Sequence, residues 1–139
     1  MKLEELKQKP DNISVEECKS YFEKKLLEFL KKNISKKEFL EILIELTDRQ
    51  VRTYEILDND IRNKIDDCLS LLWNTDSYDD VDSILSITVN LGLVKTYEKV
   101  KETLNSNKEI KDEILMEIKD CVDENGDDIS DPYRFLKNN

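Results

Sequence analysis

Asp123, Asn125 and Asp127 stand two residues apart behind a helical pattern, the D-x-N-x-D spacing of the first three oxygen ligands of a calcium loop. The rest of such a loop is missing. Its sixth position, where glycine makes the sharp turn, is Asp128; its twelfth is Arg134 instead of a bidentate Glu, and Pro132 interrupts the stretch between. No metal is therefore expected, and no cofactor. The chain has no histidine, which excludes Ser–His and Cys–His nucleophiles and histidine-held metals. Its two glycines, Gly92 and Gly126, lie 34 residues apart, too far to form a phosphate-cradling loop. Cys18, Cys68 and Cys121, separated by 50 and 53 residues, have the spacing of neither a disulfide framework nor a metal site; each falls on an apolar helical stripe and reads as a reduced core thiol. Carboxylates are abundant, but none has the apolar surroundings that would raise its pKa for acid–base work, so no enzymatic activity is expected.

The carboxylates do carry an electrostatic signature. The formal net charge is −10 over 139 residues. Positions 65–94 hold Asp66, Asp67, Asp76, Asp79, Asp80 and Asp82 with no base, and positions 120–131 hold Asp120, Asp123, Glu124, Asp127, Asp128 and Asp131, again with no base. Without those twelve, 20 acids remain against 22 bases, so two segments hold the whole excess. Clustered aspartates steer a basic partner into contact and suppress contact with nucleic acid. Trp73 and Tyr78 flank the first cluster and Tyr133 closes the second, and aromatic anchors beside charge are what a protein interface uses. Taken singly, Asp79, Asp80 and Asp82 serve equally as helix-start residues, and Trp73 and Tyr78 as partial core. The lysines at 19, 24, 25, 31, 32, 36 and 37 form a basic strip without arginine on the solvent arc of a helix, so no nucleic-acid binding is expected.

Helices must position these groups. Ser14 with Glu17 and Ser35 with Glu38 have capping-box spacing ahead of apolar stripes, predicting helices over about 14–32 and from Ser35 through Leu46, the second more buried than the rest. The Asp58-Asn59-Asp60 run favours a break between helices of about 48–57 and 60–74. Ser77 with Asp80 starts another, which Gly92 ends or sharply bends. Leu93 to Leu104 carry a further stripe, Ile110, Ile114, Ile118 and Cys121 the last long one, and Pro132 permits a short terminal helix. A single all-α domain over 1–139 is expected, with about six to seven helices arranged as an antiparallel bundle or a short HEAT-like solenoid. Residues 1–13 read as a flexible N-terminal segment, and 123–139 as an acidic turn plus a short helix. No 40-to-47-residue repeat decides between bundle and solenoid, although Ser35 and Ser77 lie 42 apart. The first ten residues lack the apolar stretch of a secretory signal and no run is long enough to span a membrane, so a cytoplasmic protein without membrane contact is expected.

A small, acidic, helical chain ending in a helix over 110–122, an acidic turn and Ile129-Ser130-Asp131-Pro132-Tyr133 resembles the immunity proteins of bacterial contact-dependent inhibition and polymorphic toxin systems, some built of HEAT-like helix pairs. That resemblance implies a monomer that binds and neutralises a cognate toxin domain, a basic one with a nuclease among the candidates. Its contacts would be Trp73, Asp76, Tyr78, Asp79, Asp80 and Asp82 in one patch, and Asp123, Asp127, Asp128 and Tyr133 in a second. A helical-repeat adaptor or regulatory module shares every one of these features.

Overall fold

The structure, a computed structural model, describes residues 3–106 and 109–137. Among them are eight helices and no strand: α1 (Leu3–Lys7), α2 (Val15–Leu30), α3 (Lys36–Val51), α4 (Asn59–Leu72), α5 (Tyr78–Leu91), α6 (Val94–Leu104), α7 (Asp112–Asn125) and α8 (Arg134–Lys137). None of the described helices is long and apolar enough to cross a membrane.

The capping residues sit where their spacing placed them. The hydroxyls of Ser14, Ser35 and Ser77 accept the amides of Glu17, Glu38 and Asp80 at 3.1, 3.1 and 3.3 Å, each satisfying an otherwise orphaned donor in a first helical turn. Gly92 stops α5 at φ 74°, left-handed backbone that glycine adopts without a Cβ penalty, and its amide closes the helix on the Thr88 carbonyl. Asp58 caps α4 through the amides of Asp60 and Ile61.

One boundary differs from the sequence expectation. No separate helix covers 48–57: α3 runs unbroken through Asp48 to Val51, and 52–58 form the connection to α4. Leu43, Leu46, Thr47 and Gln50 are all buried on one continuous face, so packing carries the helix past an aspartate whose local preference is weaker.

Six helices pair into three successive hairpins, α2/α3, α4/α5 and α6/α7, stacked in two layers. Helices α3, α5 and α7 pack side by side in one layer, and α2, α4 and α6 in the other. Helices within a layer run the same way. Asp66 bonds Thr96, the Ser70 carbonyl accepts from Lys99, and the Trp73 indole donates to Thr103, a parallel register held along the whole of α6. Of the two arrangements open from sequence, this is the stacked one.

The core between the first and second hairpins holds Phe22, Phe39, Leu43, Ile65, Leu69, Ile84 and Leu91, with Phe29 stacked on Phe39 at 4.3 Å. A second cluster, Val81, Leu85, Val100, Ile114 and Ile118, joins the second hairpin to the third, and Trp73 packs against both. Cys18 and Cys68 are buried as expected. Cys121 is half-buried, and burial pushes all three thiols up to about 11.

Two segments outside the hairpins are tied down. Of residues 1–13, expected to be flexible, positions 1 and 2 lie outside the described residues, and the remainder contains α1, whose Leu6 is 1% exposed. Arg49, itself 2% exposed, holds this segment by donating to the carbonyls of Leu6, Lys9 and Pro10. At the other end, residues 126–133 cross one end of the stack as a strap. Ile129 is buried, Arg62 holds the Ser130 carbonyl at 3.1 Å, and the Tyr133 hydroxyl donates to the Glu55 carbonyl at 2.9 Å. The strap passes so close to Gly92 that a Cβ there would lie 2.8 and 2.9 Å from the carbonyl oxygens of Ile129 and Ser130.

Candidate functional site: an acidic groove between α5 and α7

The parallel neighbours α5 and α7 leave a groove of about 300 Å³ between them, lined by Asp82, Leu85, Ser86, Val89, Glu117, Asp120, Cys121, Glu124 and Asn125. Four carboxylates line it, and none of these lining residues is basic. The α7 share follows from helical geometry: Glu117, Asp120 and Glu124 recur at three and four residues and so form one stripe along the helix, which Glu113 extends one turn beyond the groove lining. Asp82 enters from the second turn of α5 and also lines the adjoining furrow between α3 and α5, together with Asp79, Asp80 and Lys37.

At the groove's mouth the carboxylates interact. Glu117 is hydrogen-bonded to Asp82, and that bond, with partial burial and the nearby Asp120 charge, holds its carboxyl above the usual Glu range. The Tyr78 hydroxyl donates to Glu117 Oε2 at 3.1 Å, which in turn raises the phenol. Like charges held this close favour a proton or an incoming cation between them. No group of three or more acids or thiols among the described residues is arranged to hold a metal ion.

The residues singled out from sequence divide between this site and the scaffold. Tyr78 and Asp82 both reach Glu117 at the groove mouth, and Asp76 and Asp79 are exposed around the start of α5, Asp79 on the α3–α5 furrow. Asp80 turns inward: burial would raise its carboxyl, but an ion pair with Lys36 at 2.7 Å and a bond from Asn74 outweigh that and lower it. Trp73 spans α4 and α6, its indole N–H donating to Thr103 Oγ1 at 3.0 Å. Asp123 and Asp127 are exposed near the far end of α7. Asp128 shapes the strap by accepting the Ser130 amide at 2.9 Å, which holds its carboxyl below the ordinary range. Tyr133 anchors the strap through the carbonyls of Glu55, Gln50 and Val51. Sequence reading thus placed Tyr78 and Asp82 on one side of the groove and did not single out Glu117, Asp120 or Glu124 on the other, whose signal was their spacing of three and four residues along α7.

Two further members of the first acidic cluster are structural. Asp66 receives the amides of Lys95 and Thr96 at 2.9 and 2.8 Å, capping α6 from a neighbouring helix where the local cap position is Leu93. Asp67 pairs with the Lys95 ammonium at 3.0 Å. Comparison with protein-family models, with curated proteins and with solved structures gives no match to this chain.

Proposed function

We propose that this chain is an immunity-type protein that binds a basic toxin domain through the α5–α7 groove and its Asp76–Tyr78–Asp79 margin, and so neutralises it. The observation that carries this reading is the groove itself, with Asp82, Glu117, Asp120 and Glu124 on one concave surface and no basic residue in its lining. A toxin that cuts nucleic acid needs a cationic cleft, and a row of carboxylates along one helix can occupy that cleft in place of phosphates. Tyr78 supplies a part-exposed aromatic at the mouth, suited to a rim contact.

The stacked hairpins favour a second reading, since such scaffolds also serve as adaptors that offer a long surface to a partner. One experiment separates the two. Tagged wild-type protein and the Asp82→Lys/Asp120→Lys variant are used to capture partners from a bacterial lysate at low and moderate salt, and the bound proteins are identified by mass spectrometry. Capture of a basic toxin domain by the wild type, weakened by salt and lost in the variant, supports immunity. Capture of a housekeeping complex equally by both would favour the adaptor and remove the groove from the proposal.

A further inference from the structure

We infer that the strap is a releasable latch which fixes the far end of the α5–α7 groove. Its grip on the stack is wide but shallow. It reaches α4 through Arg62, α6 through Tyr97 and Lys101, which donate to the carbonyls of Gly126 and Asp127, and the α3–α4 connection through Tyr133. Yet among residues 126–135 only Ile129 is fully buried, whereas α3 alone buries eight side chains. A segment with one apolar anchor, held otherwise by hydrogen bonds of which those from Arg62 and Lys101 and that to Glu55 are exposed, opens at lower free energy than the helices it crosses.

The latch is connected to the groove by a chain of contacts. Arg134 Nη2 donates to the Asn125 carbonyl at 3.2 Å and to its Oδ1 at 3.0 Å, which fixes the orientation of the Asn125 amide. The nitrogen of that amide then donates to the Cys121 carbonyl at 2.8 Å and lies 3.8 Å from the Cys121 thiol. Asn125 and Cys121 both line the groove. Arg134 follows the strap directly and is tied to it through the Asp131 carbonyl, so when the strap lifts Arg134 is drawn off Asn125, and the Asn125 amide is free to turn away from the Cys121 thiol. The groove's far end is therefore shaped by a segment that is not part of its walls.

The three cysteines make the test internal to one protein. Cys121 reports on the groove and Cys68, buried on α4, on opening of the whole stack, whereas Cys18 on α2 lies near Tyr133 and is read with the strap. Maleimide labelling is followed at each cysteine by peptide mass spectrometry, alongside hydrogen exchange at the Ser130 and Tyr133 amides, in wild type, Ile129→Ala and Arg134→Ala. In Ile129→Ala both amides exchange faster and Cys121 labels about tenfold faster or more, with Cys68 unchanged. In Arg134→Ala, Cys121 labelling rises while the two amides keep their protection, because the Ile129 anchor remains. A parallel rise at Cys121 and Cys68 would mean that the strap opens only with the whole fold. Unchanged Cys121 labelling with a loosened strap, or unchanged amides in Ile129→Ala, would equally overturn the latch. The latch requires no toxin, so these outcomes are independent of the capture experiment.

Discussion

Removing the Asp66 carboxylate tests the claim that one helix caps another across the stack. Asp66 is 8% exposed and accepts the Lys95 amide at 2.9 Å, the Thr96 amide at 2.8 Å and the Thr96 hydroxyl at 2.6 Å. Asp66→Ala leaves the first turn of α6 with unpaired amides, and Thr96 is fully buried, so water replaces only part of what is lost. Loss of an ordinary cap costs about 1 kcal/mol, and a buried donor left unsatisfied adds about 1–3 kcal/mol. We expect a loss of about 3 kcal/mol, which lowers Tm by roughly 10 °C in a domain of this size. Asp66→Asn keeps an acceptor in place but loses the charge and is expected to cost about half as much. The control is Asp67→Ala, which breaks only the exposed pair with Lys95 and should cost at most ~0.5 kcal/mol. Urea denaturation followed by circular dichroism gives all three values. If Asp66→Ala were no more harmful than Asp67→Ala, the cross-helix cap would not be stabilising α6.

Arg49→Ala removes the three carbonyl contacts that hold residues 6–10 and should cost about 2–4 kcal/mol, with new protease cleavage near Pro10 as the local sign. Gly92→Ala combines left-handed backbone strain with a collision against the carbonyls of Ile129 and Ser130, and a loss of more than ~2 kcal/mol in thermal melts is expected. Glu117 has a folded-state pKa raised above 4.5, so as pH rises from that value the unfolded chain gives up the proton first and stability falls. Glu117→Gln cannot ionise, so its stability advantage over wild type should grow from pH 4.5 to pH 8; an advantage that stays constant or shrinks over that interval would refute the proton sharing with Asp82. Asp58, Asp80 and Asp128 are shifted the other way, so their contribution is kept above 3.8 and lost only as pH falls below it.

What sequence disclosed here was local. Ser14, Ser35, Ser77 and Gly92 act on residues three or four positions away, and their effects were readable without knowing the fold. Arg49 and Asp66 act on residues 39–43 and 29–30 positions distant, and an arginine near a helix end or an aspartate in an acidic run gives no local hint of such a role. The acidic clusters were visible, but their composition misled in part. Asp66, Asp67 and Asp80 are engaged by internal partners, while Glu113 and Glu117, outside both clusters, supply much of the α7 stripe. Charge counting along the chain cannot distinguish an acid that caps a helix from one that faces solvent. Helical phase narrows that choice, and the pairing of α5 with α7 decides it.

The strap also bears on how this molecule unfolds. In a linear array each hairpin meets only its neighbours, so terminal units fray independently and the melting transition broadens. Here the Tyr133 hydroxyl reaches the Gln50 carbonyl, 83 positions back, and ties the segment after the last hairpin to the end of the first. While the strap is seated, that closure turns a one-dimensional stack into a ring, so its first and last hairpins do not fray independently. Once the strap lifts the array is linear again, so Ile129→Ala should broaden the melting transition. Excision of the middle hairpin, which an open repeat array tolerates, would leave the strap with the wrong span to bridge.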